Sequence, residues 1–172
     1  MSAPDRVEAL GPRSARPDVA TDAPLIGAAV LDPQVLLQYF RGGPFAVGAL
    51  QTEFASRGWR PAPLQVSAYG WAVVQYFCAR VFPDADVSVW HEYLAALDAH
   101  ILPLTGDVAE RSVRAMARLD LSYGEAFTFV HALDANVPIL ALAERFATVA
   151  DQVRVYRVPM PAYAMPARPS TT

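Results

Sequence analysis

Lysine is absent from this chain, and all fourteen basic residues are arginine. Such uniformity follows genomic base composition more readily than function, although Arg is also the better bidentate ligand for phosphate. A single cysteine, Cys78, excludes an internal disulfide framework and fits a reducing cytoplasm. It lies in an apolar helical run, where a free Cys behaves as a small buried hydrophobe. No uninterrupted apolar run reaches the length of a membrane span, so no membrane is expected. The opening residues, MSAPDRVEALGPRSARPDV, lack the apolar middle of a secretory signal. With net charge −3 and no basic stripe, the electrostatic footprint of a nucleic-acid binder is missing.

Apolar residues, at 53% of 172, are plentiful enough for one domain core. Residues 1–22 show no sustained period and read as a flexible N-terminal arm; 159–172, PMPAYAMPARPSTT, read as a Pro-rich tail. Between them the run Leu25–Asp32 suits a central strand buried on both faces. Pro33 then suits the first turn of a helix over 34–41. That order places Asp32 at the carboxyl edge of the sheet, where open α/β sheets build their sites. The plainer reading of Asp32 is the N-cap of that helix.

Further helices are expected over 45–57, 71–82, 87–99, 106–119, 123–133 and 143–150, and strands at 64–67, 101–105, 138–142 and 153–158. Pro103 predicts a third strand that is short or at an edge. The alternation in Val153–Val158 predicts an edge strand with one wet face. The alternation of strands and helices implies a mostly parallel sheet of about five strands with helices on both faces, a three-layer α/β/α domain.

The chemistry-bearing residues are sparse. His91, His100 and His131 are scattered without metal-ligand spacing, and no G-x-S-x-G, P-loop or dinucleotide glycine pattern occurs. Aromatic residues gather in 71–90, and Phe127 and Phe129 lie near Glu125; core packing explains most of them.

Five stretches, in order, carry a family resemblance: VLDPQVLLQYFRGG, VSAYGWAVVQYF, HILPLTGDVAERSVRAMARL, LSYGEAFTFVHALDANVPIL and AERFATVADQVRVYRV. Together they resemble the PIN domain of VapC-type toxins over about residues 25–158, within a domain bounded at 23–158. The resemblance implies a PIN-like fold and metal-ion cleavage of RNA, with carboxylates holding Mg²⁺ or Mn²⁺ because hard divalent ions take oxygen ligands. Of the family's four acidic positions, the first falls on Asp32 and the third on Glu125, one methylene longer than the usual Asp. The second falls on Val73 and the fourth on Ala143, with Glu144 one residue further on. No carboxylate occurs between Glu53 and Asp84, so no small shift restores the second.

Asp32 and Glu125 are therefore the candidate catalytic pair, and Asp32, Glu125 and Glu144 the candidate metal ligands. The bland alternative for Glu125 is an acid favoured at a helix start by the macrodipole. Tyr69 and Trp71 stand near the missing acid and are candidates to plug its cleft. The expected protein is a PIN-fold relative with an impaired acidic site that acts by binding protein or RNA. The alternative is a toxin-type endoribonuclease with a reduced ligand set. A homodimer and an antitoxin-like partner are implied by resemblance alone.

Overall fold

The computed structural model describes residues 23–142 and 146–161. Five parallel strands form one sheet in the order β3-β2-β1-β4-β5: β1 Ile26–Leu31, β2 Arg60–Ser67, β3 Ala99–Leu102, β4 Ile139–Leu142 and β5 Val155–Val158. Among the described residues six α-helices flank it: α1 Pro33–Phe40, α2 Ala46–Ser56, α3 Ala68–Val81, α4 Val87–Ala96, α5 Gly106–Leu119 and α6 Tyr123–Ala135. The α/β class and the central, doubly covered β1 are as the sequence predicts.

Strand periodicity builds the three layers. Along β1 and β4, alternate residues point to opposite faces. Ala29, Leu31, Leu140 and Leu142 pack in one cluster with α1, α2, α3 and α4. Val30, Ile139 and Ala141 pack in the other with α5 and α6. Helix α6 is apolar nearly all round because it lies between the sheet and α5. Helix α5 turns only Val108, Ser112, Ala115 and Leu119 inward, and Arg111 ties it to α6 through paired 2.6 Å bonds to Asp134.

Four segments depart from expectation. Strand β2 begins at Arg60 rather than Leu64, although Pro61 and Pro63 lie in it. The short β3 pairs only with Leu64–Ser67, so the first half of β2 is open on that side, where missing N–H donors cost nothing. Asp98, in the left-handed region at φ 51°, ends the fourth helix early and starts β3 at Ala99; Pro103 follows, so β3 is a four-residue edge strand. Strand β5 has no wet face. Val155, Tyr156 and Val158 are all buried, with Tyr156 edge-on to Trp59 at 5.3 Å. In place of the helix expected over 143–150, residues 146–152 form turns that still bury Phe146 and Val149; residues 143–145 lie outside the described part.

The chain builds β1, β2 and β3 outward on one side and then crosses to β4 and β5 on the other. The strand order therefore reverses between β1 and β4, the switch point where such sheets open a crevice. Helix α3 begins there, one strand over. Its Gly70 leaves no room for a side chain, since a Cβ would lie 2.6 Å from Pro33 Cγ and 2.9 Å from Ser67 Oγ. Gly70→Ala should lower stability in urea unfolding: forcing a methyl against the proline ring costs about 1–3 kcal/mol, against at most about 1 kcal/mol of helix propensity gained. Gly124→Ala, whose Cβ would meet Pro33 Cγ at an ordinary 3.8 Å, should be tolerated.

Candidate functional site

Three helices start at the carboxyl edge, each behind a polar residue. Asp32 ends β1, its N–H donating to Leu140 O of β4 at 2.9 Å, and its Oδ1 accepts from the Gln34 N–H at 3.4 Å. It is the N-cap of α1 and is 1% exposed. Ser67, also buried, ends β2 and caps α3 through a 2.9 Å bond from the Gly70 N–H to its Oγ. Ser122 precedes α6 and forms a capping box with Glu125. Pro33 joins the three: it abuts Gly70 of α3 and approaches Gly124 of α6.

Asp32 and Glu125 therefore belong to adjoining first turns at the switch point. Both are buried, Glu125 at 4% exposure. The partial positive charge at each helix start offsets some of the cost of burying a carboxylate there. Glu125 spends one oxygen locally, since its Oε2 accepts from the Ser122 N–H at 2.7 Å. The plainer readings of both acids, as helix-start residues, thus describe their hydrogen bonds. The third candidate ligand, Glu144, lies outside the described residues, as does Ala143.

Val73, the position the resemblance matched to a further acid, is half-buried on α3. The two aromatic residues expected nearby divide. Tyr69 leans across to α6, with ring centroids 5.0 Å from Phe127 and 6.1 Å from Tyr123. Trp71 turns the other way, to Phe40 and His91. Tyr69, Tyr123 and Phe127 therefore form one aromatic group between α3 and α6, and Trp71 belongs to the opposite core. Sequence reasoning missed Ser67 and Gly70 as parts of this junction. The signal was present, since a Ser with a small residue at the third helical position suits an N-cap closed by a near neighbour.

A divalent ion needs several converging oxygens. Among the described residues no group of three or more His, Cys, Asp or Glu side chains gathers to hold one. Two acids, each with an oxygen hydrogen-bonded at a helix start, do not fit a Mg²⁺ or Mn²⁺ site by themselves. No helix among the described residues is long and apolar enough to cross a membrane.

Glu125→Ala should cost about 0.5–2 kcal/mol of stability, the usual worth of a cap. Glu125→Gln should retain most of it, because Gln also closes a capping box. Denaturant midpoints of the two variants check this. A second titratable group lies further along α6. His131 is 7% exposed, and its Nε2 has no hydrogen-bond partner among the described residues. Burial holds it below its ordinary value near 6.5, opposed by Asp134 and reinforced by Arg111. The unfolded chain therefore takes up the proton first. Stability should be fullest above about pH 6.5 and should decline as pH falls below it. His131→Phe should flatten that decline in pH-dependent thermal unfolding.

No family model matches the chain, and no curated protein matches it. Among solved structures it is similar to a chain of a structure titled "Toxin-antitoxin complex from Klebsiella pneumoniae", with a TM-score of 0.53 and 19% sequence identity over 76% of this chain and 100% of that one. At that identity the likeness establishes the shared fold.

Proposed function

We propose that this is a toxin-like protein on the PIN scaffold of VapC-type toxins, with an impaired acidic site, acting through binding of protein or RNA. The observation that carries the proposal is Glu125. The acid at the family's third position turns its Oε2 back to its own helix start at 2.7 Å. The α3 residue at the family's second acidic position is the apolar Val73, and among the described residues no group of three or more His, Cys, Asp or Glu gathers. The toxin–antitoxin neighbour supports a toxin-like protein with an antitoxin-like partner. A cytoplasmic homodimer is the assembly this reading carries.

The alternative is a Mg²⁺- or Mn²⁺-dependent endoribonuclease using Asp32, Glu125 and Glu144. It draws on the juxtaposition of two buried carboxylates at the switch point. The readings part in one experiment. Purified protein and Asp32→Ala are incubated with labelled RNA and Mn²⁺. No metal-dependent cutting above the Asp32→Ala background is expected. Cutting that disappears in Asp32→Ala would establish the nuclease and overturn the impaired-site reading.

A further inference from the structure

At the amino edge of the sheet, at the opposite end of the strands from Asp32, a cavity of about 330 Å³ lies between the C-terminal end of α6 and the segment leading into β5. Its apolar lining includes Leu133, Val137 and Val153, and its polar lining Asn136, Gln152 and Arg154. Backbone bonds fix both walls. The Gln152 and Val153 N–H groups donate to Val149 O at 2.9 and 3.1 Å, and the Ile139 N–H donates to Arg154 O at 2.9 Å. Asn136 closes α6 in the left-handed region at φ 53°, a conformation that Asn tolerates well. The cavity is therefore preformed, and its volume stands at the lower end of the usual small-molecule range of about 300–1,000 Å³.

The polar side chains of this lining have no work within the fold. Among the described residues, Asn136, Gln152 and Arg154 make no side-chain hydrogen bond and no ion pair. Asp134, the acid beside them on α6, is held by Arg111 of α5 through both of its oxygens. No acid is among the described residues that line the cavity, so Arg154 gives the β5 side a positive charge. The other wall has the opposite sign. The C-terminal end of a helix carries about half a negative elementary charge, and Leu133 and Asn136 bring that end of α6 into the lining. A polyanion such as a phosphate would meet a single Arg and a repelling helix end. A wholly apolar ligand would strip water from a guanidinium and two amides without replacing their hydrogen bonds. A small dipolar ligand with an apolar body satisfies both walls.

We infer that this cavity binds the zwitterion of an aliphatic α-amino acid. Its carboxylate meets the Arg154 guanidinium, with the Gln152 amide beside it. Its ammonium lies toward the C-terminal end of α6 at Asn136, and its side chain rests on Leu133, Val137 and Val153. Hydrogen bonds to ionised groups are the strong ones, and a few polar groups in a partly apolar cavity suffice to orient a small ligand. The cavity shares no residue with the Asp32–Glu125 junction, so the inference stands apart from the proposed function.

L-valine, L-leucine and L-isoleucine are titrated singly into the full chain by calorimetry, with thermal unfolding as a second readout. At least one should bind with a Kd of about 1 mM or tighter. It should also raise Tm, because the cavity exists only in the folded chain. Arg154→Gln, at an exposed position, should keep the denaturant midpoint and lose about tenfold or more in affinity. Gln152→Ala should weaken binding as well. The N-acetyl derivative of the same amino acid, which lacks the ammonium, and its amide, which lacks the carboxylate, should each bind about tenfold or more weakly. Absence of saturable binding by all three amino acids, or binding that Arg154→Gln leaves unchanged, would overturn the inference. So would an N-acetyl derivative or an amide that binds as tightly as the zwitterion, since one of the two poles would then have no part in recognition. Asp32→Asn should bind as the unchanged protein does. RNA cutting that depends on Asp32 would overturn the impaired-site reading while leaving these affinities as they are.

Discussion

The junction at Pro33 governs how the rest of the molecule comes together. A proline just after β1 starts α1 without a missing donor, and its ring occupies the space where α3 would carry a side chain at position 70. Only glycine admits that approach. The same ring stands 3.8 Å from where a Cβ at Gly124, in the first turn of α6, would lie, so one residue approaches helices from both outer layers. The two layers meet at the carboxyl edge because the strand order reverses between β1 and β4.

That crowding bears on how the edge holds its buried carboxylates. Buried carboxylates must be hydrogen-bonded or paired. Here the helix starts supply N–H donors: Gln34 to Asp32 and Ser122 to Glu125. The length of the Glu125 side chain matters for this reason. A capping box requires Glu or Gln at the third helical position, because the longer side chain reaches back to the N-cap N–H. Glu125 therefore directs one carboxylate oxygen to its own helix start. Beside this junction Tyr69 of α3 is laid against Phe127 and Tyr123 of α6.

Much of the fold was legible in local chemistry. The run ending in Asp32-Pro33 announced both the central strand and the helix after it, and Pro103 announced the short edge strand. What failed did so because tertiary pairing overrode local signals. Pro61 and Pro63 precede the strand expected at 64–67, yet they sit in β2 because β3 is too short to call for N–H donors there. The alternation around Arg154 and Arg157 read as a wet face, but Trp59 from the far side of the sheet covers Tyr156. At the site, Asp32 and Glu125 were found by position in the sequence. Their hydrogen bonds were open to two readings until the helix starts were seen together. The cap signal of Ser67 and Gly70 was present, but the approach of Gly70 to Pro33 was not legible, since nothing in one sequence tells which glycine faces a proline some forty residues away.

The two outer layers of the molecule obey different rules. On the α5–α6 side, solvent meets ion pairs: Arg111 bridges Asp107 and Asp134, and Arg114 pairs with Glu110 one turn away. Exposed pairs of this kind contribute little each, but they keep a surface wet and self-sufficient. On the α1–α3 side there is no acid in either helix, and aromatic and aliphatic carbon reaches solvent. Surface water gains nothing from Phe77 or Val81, and core packing already has Trp71, Val74 and Cys78 from the same helix. A helix that fills its core-facing stripe and still carries apolar residues outward is over-supplied for the domain alone. The surplus, with arginines beside it and no acid from its own helices, is left without a partner among the described residues.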